Sequence, residues 1–403
     1  MKHRILYTRL CTFVHGQSAF RGFGFLGLAL AVLLACRLVQ RLHMPLWVIL
    51  AIIALAIVVF LALVMATKIV LGDERIIYYH HEIAVIAGTA LFLRLIHQPV
   101  LLYLDITVLG IGLFLACGRI GCLLVGCCHG RPFRWGFRYG EEHADVGFTP
   151  YYVGIPLFPV QAVESLWVLG IVVAGTSMVV RGDAPGSALT LYIVMYGFGR
   201  FCFEFLRGDP VRPYFWAFSE AQWTSIILMS VIVYGERIHV LPLDPLDVAM
   251  MVLVFATMVG VAVRRLLRRT PTHLLLHPRH VREIAEALGF VTTSPARQTD
   301  AASREIWPVH IGITSLGVQI SGGVIHGAES CLSHYALSCS DRTMTPDHAR
   351  TIAKLICLLR HSNCTVEPVQ GNSGVFHLLV FAERCDGSLQ PPLYRPTAQS
   401  MTQ

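Results

Sequence analysis

LWVILAIIALAIVVFLALVMAT, residues Leu46–Thr67, carries no ionisable side chain over 22 positions. At 1.5 Å per helical residue it reaches about 33 Å, enough to cross a hydrocarbon core of about 30 Å. On either side of it, apolar stretches near residues 23–40, 46–71, 82–97, 99–118, 158–180, 186–206, 220–235 and 246–264 predict further spans. The stretches at 82–97 and 186–206 are interrupted by charges. The 403 residues are 55% hydrophobic and 14% charged, where a soluble domain carries about 25% charged residues. The expected fold is therefore an all-α polytopic membrane protein of about seven to eight transmembrane helices, with a polar appendage.

The appendage begins where the composition changes. Residues 1–269 read as the polytopic membrane domain, 270–306 as a linker with a short amphipathic helix, and 307–403 as a small α+β soluble domain. Within the last, Pro308–Ile320 and Val375–Phe381 read as strands and Asp347–Arg360 as a helix; the linker helix falls at His280–Gly289. The formal net charge of +7 is modest. Its clusters, Lys2, Arg4 and Arg9 at the start and Arg264-Arg265-Leu266-Leu267-Arg268-Arg269 after the last span, look like membrane anchors and not a nucleic-acid surface. The N-terminal segment reads as a first anchor more than a cleaved signal peptide. By the positive-inside rule the second cluster puts the tail in the cytoplasm, which requires one of the eight expected spans to be re-entrant or misjudged.

Charge inside the apolar stretches carries the functional reading. A guanidinium in or beside a bilayer core costs several kcal/mol unless something anionic pairs with it. Arg119 closes an apolar stretch in Gly118-Arg119-Ile120-Gly121-Cys122, ahead of a polar loop to Leu157, and Arg200 lies within another, Tyr196-Gly197-Phe198-Gly199-Arg200-Phe201. Guanidinium also holds phosphate in two-point contact, so a lipid phosphate is the expected ligand. Arg200, Glu204 and Arg207 fall at i, i+4 and i+7 on one helical stripe, where the acid neutralises one base and leaves the other for a ligand. A structural ion-pair network is the plainer alternative. Gln161 and Glu164 open another span, and the lone glutamate needs Arg119 or Arg200 as its partner.

His80, His81 and Glu82 precede a third span. A histidine at a membrane surface could act as general base on a thiol or hydroxyl, or simply sit with its ring tip in water. Glycines 118, 121, 126 and 130 would let backbone approach a headgroup closely, or pack helices. Of 12 cysteines, seven fall in the apolar two-thirds and five after residue 330, in no zinc-like spacing. The adjacent pair Cys127-Cys128 with His129 is poor geometry for one tetrahedral ion, so no metal and no cofactor is expected.

Three segments together resemble the prolipoprotein diacylglyceryl transferase family: Gly118-Arg119-Ile120-Gly121 through Gly126-Cys127-Cys128-His129-Gly130-Arg131-Pro132; Phe158-Pro159-Val160-Gln161-Ala162-Val163-Glu164; and Tyr196-Gly197-Phe198-Gly199-Arg200 through Glu204-Phe205-Leu206-Arg207-Gly208-Asp209. The likeness covers roughly residues 20–236. It implies a multi-pass enzyme of the plasma (inner) membrane. That enzyme moves the diacylglyceryl group of phosphatidylglycerol to the lipobox cysteine thiol in a prolipoprotein signal peptide, among membrane lipids. It further implies that Arg119 and Arg200 are essential, that the base is His81 or its neighbour His80, and that Gly130 matches the glycine closing the signature loop. Cys122, Gln161, Glu164, Glu204 and Arg207 fall among substrate-binding positions. This chain has Cys122 and Cys127 where the family has asparagine and glutamate, and Phe158 and Val163 where it has histidine and tyrosine. Those departures suit a second reading, a catalytically lapsed relative that binds phospholipid and recruits a partner through its tail. A transporter would need two matching halves with broken helices, and no such symmetry is visible.

Overall fold

In the computed structural model the described residues are 5–6, 19–71, 78–145, 147–209, 213–216, 218–267, 272–293, 310–326, 331–340, 343–360, 367–371 and 374–382. A two-residue strand, β1 (Ile5–Leu6), precedes four long helices, α1 (Ala19–Arg41), α2 (Leu46–Leu71), α3 (Tyr78–Leu95) and α4 (Val100–Val125). Strand β2 (Pro132–Tyr139), helix α5 (Glu141–Ala144) and a 3-10 turn (Pro150–Tyr152) form the loop that follows. The chain then re-enters α6 (Val160–Arg181) and α7 (Ser187–Glu204), passes the hairpin β3 (Tyr214–Phe215) and β4 (Phe218–Ser219), and finishes with α8 (Glu220–Arg237) and α9 (Pro245–Leu267).

Five of these helices, α1, α2, α4, α6 and α9, are long and apolar enough to cross a membrane. The other three expected spans are the 18-residue helices α3, α7 and α8, each of which carries charged residues. Phe25, Leu61, Leu166, Val173 and Phe255 face outward, as lipid-facing side chains do. Short turns force sequential helices to run antiparallel. They close with left-handed residues, Gly182 after α6 and His43, His97 and His239 after α1, α3 and α8. Asp105 of α4, buried, accepts the backbone N–H groups of Gly186 (2.7 Å) and Leu189 (2.8 Å), which staples the α6–α7 turn and the start of α7 to the central helix.

Helix α4 continues seven residues beyond its expected end at residue 118. Arg119, Gly121 and Cys122 therefore sit on its last two turns and not in a polar loop, and Gly126 provides the left-handed cap (φ 86°). The expected loop starts only there.

The tail folds as an antiparallel sheet of order β5-β6-β7-β9-β8, with β5 (Ile311–Ile313), β6 (Val318–His326), β7 (Cys331–Cys339), β8 (Val369–Gln370) and β9 (Phe376–Ala382). A four-residue helix α10 (Thr272–Leu275) leads into α11 (Pro278–Thr293), and α12 (Pro346–Leu359) follows β7. Ile284, Ile320, Leu337, Ile352, Ile356 and Leu378 make its core. Gly312 of β5 lies so close to Ala287 that a methyl there would meet the latter's Cβ at 2.6 Å, so α11 packs directly against this sheet.

The same core takes in Tyr139, Phe148, Tyr152, Ile155 and Leu157 from the loop between α4 and α6. The Arg265 guanidinium stacks over Phe218 at 5.1 Å, and His277 packs on Tyr214 at 4.5 Å. The tail thus lies on the face of the helical domain that holds those loops. Arg265, on the last turn of α9, finds its aromatic partner on the loop side.

Candidate functional site

Three helix ends meet on that face. Glu164, one turn into α6, is fully buried and is the hub. Arg119 of α4 donates from Nη2 to its Oε1 at 3.0 Å. Arg200 of α7 places Nη1 at 4.0 Å from Oε2, and Arg207 places Nη1 at 3.8 Å from the same oxygen. The expected partnership of Glu164 with Arg119 or Arg200 is realised with both, and with a third guanidinium besides. Close helix packing makes this possible: a Cβ on Gly199 would lie 2.3 Å from the Trp167 indole nitrogen, so only glycine lets α7 approach α6 this far.

Arg200 also pairs with Glu204 one turn on, at 3.1 Å, as the stripe predicts. Arg207 does not share that stripe. Helix α7 ends at Glu204, and Arg207 is delivered by a backbone bridge to Gly130, flanked by Arg131 N–H to Leu206 carbonyl (2.9 Å) and Gly208 N–H to His129 carbonyl (3.0 Å). Its nearest carboxylate is Asp209, at 3.0 Å, and it is 1% exposed, not in interfacial water. The bridge explains Gly130: a Cβ there would fall 2.4 Å from the Phe158 carbonyl oxygen.

Three guanidiniums face three carboxylates, yet the donors are not all used. Arg119 Nε, Arg200 Nη1 and both Nη1 and Nη2 of Arg207 are buried without a hydrogen-bond partner among the described residues. An unmade buried hydrogen bond costs about 1–3 kcal/mol, so such donors are retained where a ligand satisfies them.

Gln161, 1% exposed, gives its amide to the Cys127 carbonyl at 2.8 Å and so ties the signature loop to α6. Cys122 is buried on the last turn of α4. Its sulfur and those of Cys127 and Cys128 all lie within 4.8 Å of one another. His129 stands apart from this trio, with Nδ1 at 3.0 Å from the Gly130 carbonyl and Nε2 at 3.4 Å from the Thr149 hydroxyl. Burial holds its imidazole below the usual histidine range, so it is neutral at pH 7.

On α3, His81 is buried with its ring 4.8 Å from that of Phe60 on α2. His80 is half-exposed and pairs with Glu220 at 2.8 Å. Tyr79 of the same turn reaches toward the hub: its ring lies 5.7 Å from that of Tyr196, whose hydroxyl donates to Glu164 Oε1 at 3.3 Å, and its own hydroxyl meets Ser225 at 2.9 Å. Sequence reasoning passed over Tyr79, Tyr196 and Asp209. Tyr196 sits four residues before Arg200, and that helical spacing was its available signal. Asp209 lies next to the arginine motif, but its pairing depends on the bridge to Gly130, which no local pattern announces.

Residues 79–235, which contain all of these side chains except Phe60, match the family model described as Prolipoprotein diacylglyceryl transferase. The chain is 32% identical over 172 residues to a phosphatidylglycerol–prolipoprotein diacylglyceryl transferase of Clostridium tetani, covering 41% of this chain and 65% of that protein. It is 32% identical over 132 residues to phosphatidylglycerol–prolipoprotein diacylglyceryl transferase 2 of Clostridium perfringens, covering 31% of this chain and 47% of that one. A Dehalococcoides mccartyi enzyme of the same name is 28% identical over 170 residues, 41% of this chain and 61% of its own. The chain thus spans between 47% and 65% of the length of these relatives.

Proposed function

From the match of residues 79–235 to the prolipoprotein diacylglyceryl transferase family model, we propose that this membrane protein transfers the diacylglyceryl group of phosphatidylglycerol to the lipobox cysteine thiol of prolipoproteins. The observation that carries the reading is the set of buried guanidinium N–H groups around Glu164 with no acceptor at hydrogen-bond distance among the described residues. A phosphate diester brings oxygens to those donors. Glu164, Glu204 and Asp209 hold the three forks in place beforehand, so little reorganisation is needed when negative charge grows on the leaving group.

The chemistry is a displacement at the glyceryl carbon that bears the phosphate. The thiol loses its proton to a base, and its sulfur lone pair forms the S–C bond. The C–O bond to phosphate breaks, and glycerol phosphate leaves with that electron pair. Arg119, Arg200 and Arg207 take the charge that builds on the departing oxygens, a role worth several kcal/mol in a site without water. A base is needed because the thiolate, not the thiol, is the nucleophile. His81, inside the helical domain, is our assignment for it. His80 is turned to Glu220 and supports the α3–α8 contact.

Complementation tests the proposal. Expressed in a bacterium depleted of its own transferase, the chain restores lipoprotein maturation and growth. His81→Ala fails to do so, with a loss of about 10²–10⁴-fold in rate, while His80→Ala sustains growth. Accumulation of unmodified prolipoprotein despite wild-type chain in the membrane overturns the proposal; growth with His81→Ala moves the base elsewhere, to Tyr79 first.

A further inference from the structure

The guanidinium cluster has a neighbour that the transfer reaction does not use. Cys122, Cys127 and Cys128 point three sulfurs at one another within 4.8 Å. Adjacent cysteines ordinarily project apart, which is why the sequence alone argues against a shared ion. Here Cys128 has a left-handed backbone, φ 55°, two residues after the Gly126 cap, φ 86°. That double reversal folds Cys127 and Cys128 back over the end of α4, where Cys122 sits. The Gln161 amide pins the Cys127 carbonyl at 2.8 Å, so the turn is held from α6 as well.

The donor set selects the ligand class. At metal–sulfur distances of about 2.3 Å, three sulfurs around one trigonal ion lie roughly 4 Å apart, so a small contraction of the observed trio suffices. Thiolates favour soft cations such as Cu(I) and, with a fourth ligand, Zn(II). The adjoining His129 spends both ring nitrogens on Gly130 and Thr149, which makes three-sulfur coordination the better match. Three thiolates around a monovalent ion carry a net charge of −2, and Arg119 and Arg207 both act electrostatically on Cys128. The positive field that suits a phosphate suits this complex equally. Cys127 is exposed, which gives an ion a way in.

We propose that Cys122, Cys127 and Cys128 form a binding site for a thiophilic monovalent metal ion, Cu(I) in character, beside the guanidinium cluster. Because the loaded site spends its negative charge on Arg119 and Arg207, metal and lipid phosphate oppose one another. That consequence rests on the function proposed above; the binding itself does not.

The test is metal stoichiometry on the purified full chain in detergent under reducing, oxygen-free conditions, with Cu(I) supplied in competition with a bicinchoninate chelator. Wild type is expected to retain one more equivalent than the triple variant Cys122→Ser/Cys127→Ser/Cys128→Ser, and sulfur–copper charge-transfer absorption accompanies it. Cys127→Ser alone, at an exposed position, weakens retention at least tenfold without disturbing the fold. Cys202→Ser, on the outer face of α7, leaves retention unchanged. Equal stoichiometry in wild type and the triple variant, or loss only in Cys202→Ser, overturns the assignment. A loaded chain that transfers lipid at the unloaded rate removes the antagonism while leaving the site standing.

Discussion

Arg119→Ala and Arg200→Ala are each expected to abolish detectable diacylglyceryl transfer while the protein remains in the membrane at wild-type levels. Each arginine holds a buried N–H with no acceptor at hydrogen-bond distance among the described residues, Nε in Arg119 and Nη1 in Arg200. Removing one preorganised donor from a developing oxyanion costs about 10²–10³-fold in rate, and these residues supply charge as well as a hydrogen bond. Lysine does not substitute well at either place: a point charge on a flexible stem cannot hold Glu164 and a phosphate oxygen in the planar fork that guanidinium provides. Either alanine variant should still insert, because Glu164 keeps two guanidinium neighbours in each. Transfer assayed in membranes normalised for protein content checks the pair; full activity in both variants contradicts the account.

Glu164→Gln is expected to lose transfer too, and has the largest expected effect on stability. The carboxylate is fully buried and touches Arg119, Arg200 and Arg207. Neutralising it leaves the three positive groups facing one another, with Glu204 and Asp209 each serving only one. Breaking a buried ion pair by removing one partner costs about 3–5 kcal/mol. The apparent unfolding temperature of the detergent-solubilised protein should fall by on the order of 10 °C, and transfer should be lost with it. Arg119→Gln, which takes a positive charge away from the same cluster, should unfold closer to wild type. If Glu164→Gln melts at the wild-type temperature, Glu164 is not the hub that orders the three arginines.

Much of this site was legible from charge placed where a bilayer tolerates little of it. Arg119, Glu164 and Arg200 stand out because each interrupts an apolar run, and a lone buried glutamate demands a basic partner. The i, i+4 pair of Arg200 and Glu204 follows from helical geometry alone. Arg207 was found for the wrong reason. It lies at helical spacing from Arg200, but the helix stops at Glu204, and a backbone bridge to Gly130, 77 positions away, sets its place. Long-range backbone pairing leaves no periodic trace, so the bridge and Asp209 stayed invisible.

The end of α4 was set too early because glycines 118 and 121 resemble loop punctuation, whereas in an apolar environment small residues serve close helix packing: a Cβ on Gly121 would meet Phe20 of α1 at 3.0 Å. The tail helix and the strand at 375–381 were readable from their patterns, but the single strand expected over Pro308–Ile320 is two, β5 and β6, reversed by a turn at Thr314–Gly317. The strand Cys331–Cys339 was not readable, because its serines and histidine alternate with few strongly apolar residues. The side on which the tail docks is fixed by side-chain contacts to Tyr214, Phe218 and the Tyr152 loop, none of which a count of basic residues reports.

The claim on which the rest depends is that this chain joins a diacylglyceryl group to a thiol. Purified full chain, reconstituted in phosphatidylglycerol vesicles with a synthetic lipobox peptide, tests it most directly when peptide mass and released glycerol phosphate are followed together. The account predicts a peptide heavier by one diacylglyceryl group, resistant to hydroxylamine as a thioether is, and one glycerol phosphate per modified peptide. An unmodified peptide, in vesicles where a known transferase modifies the same peptide, would contradict it.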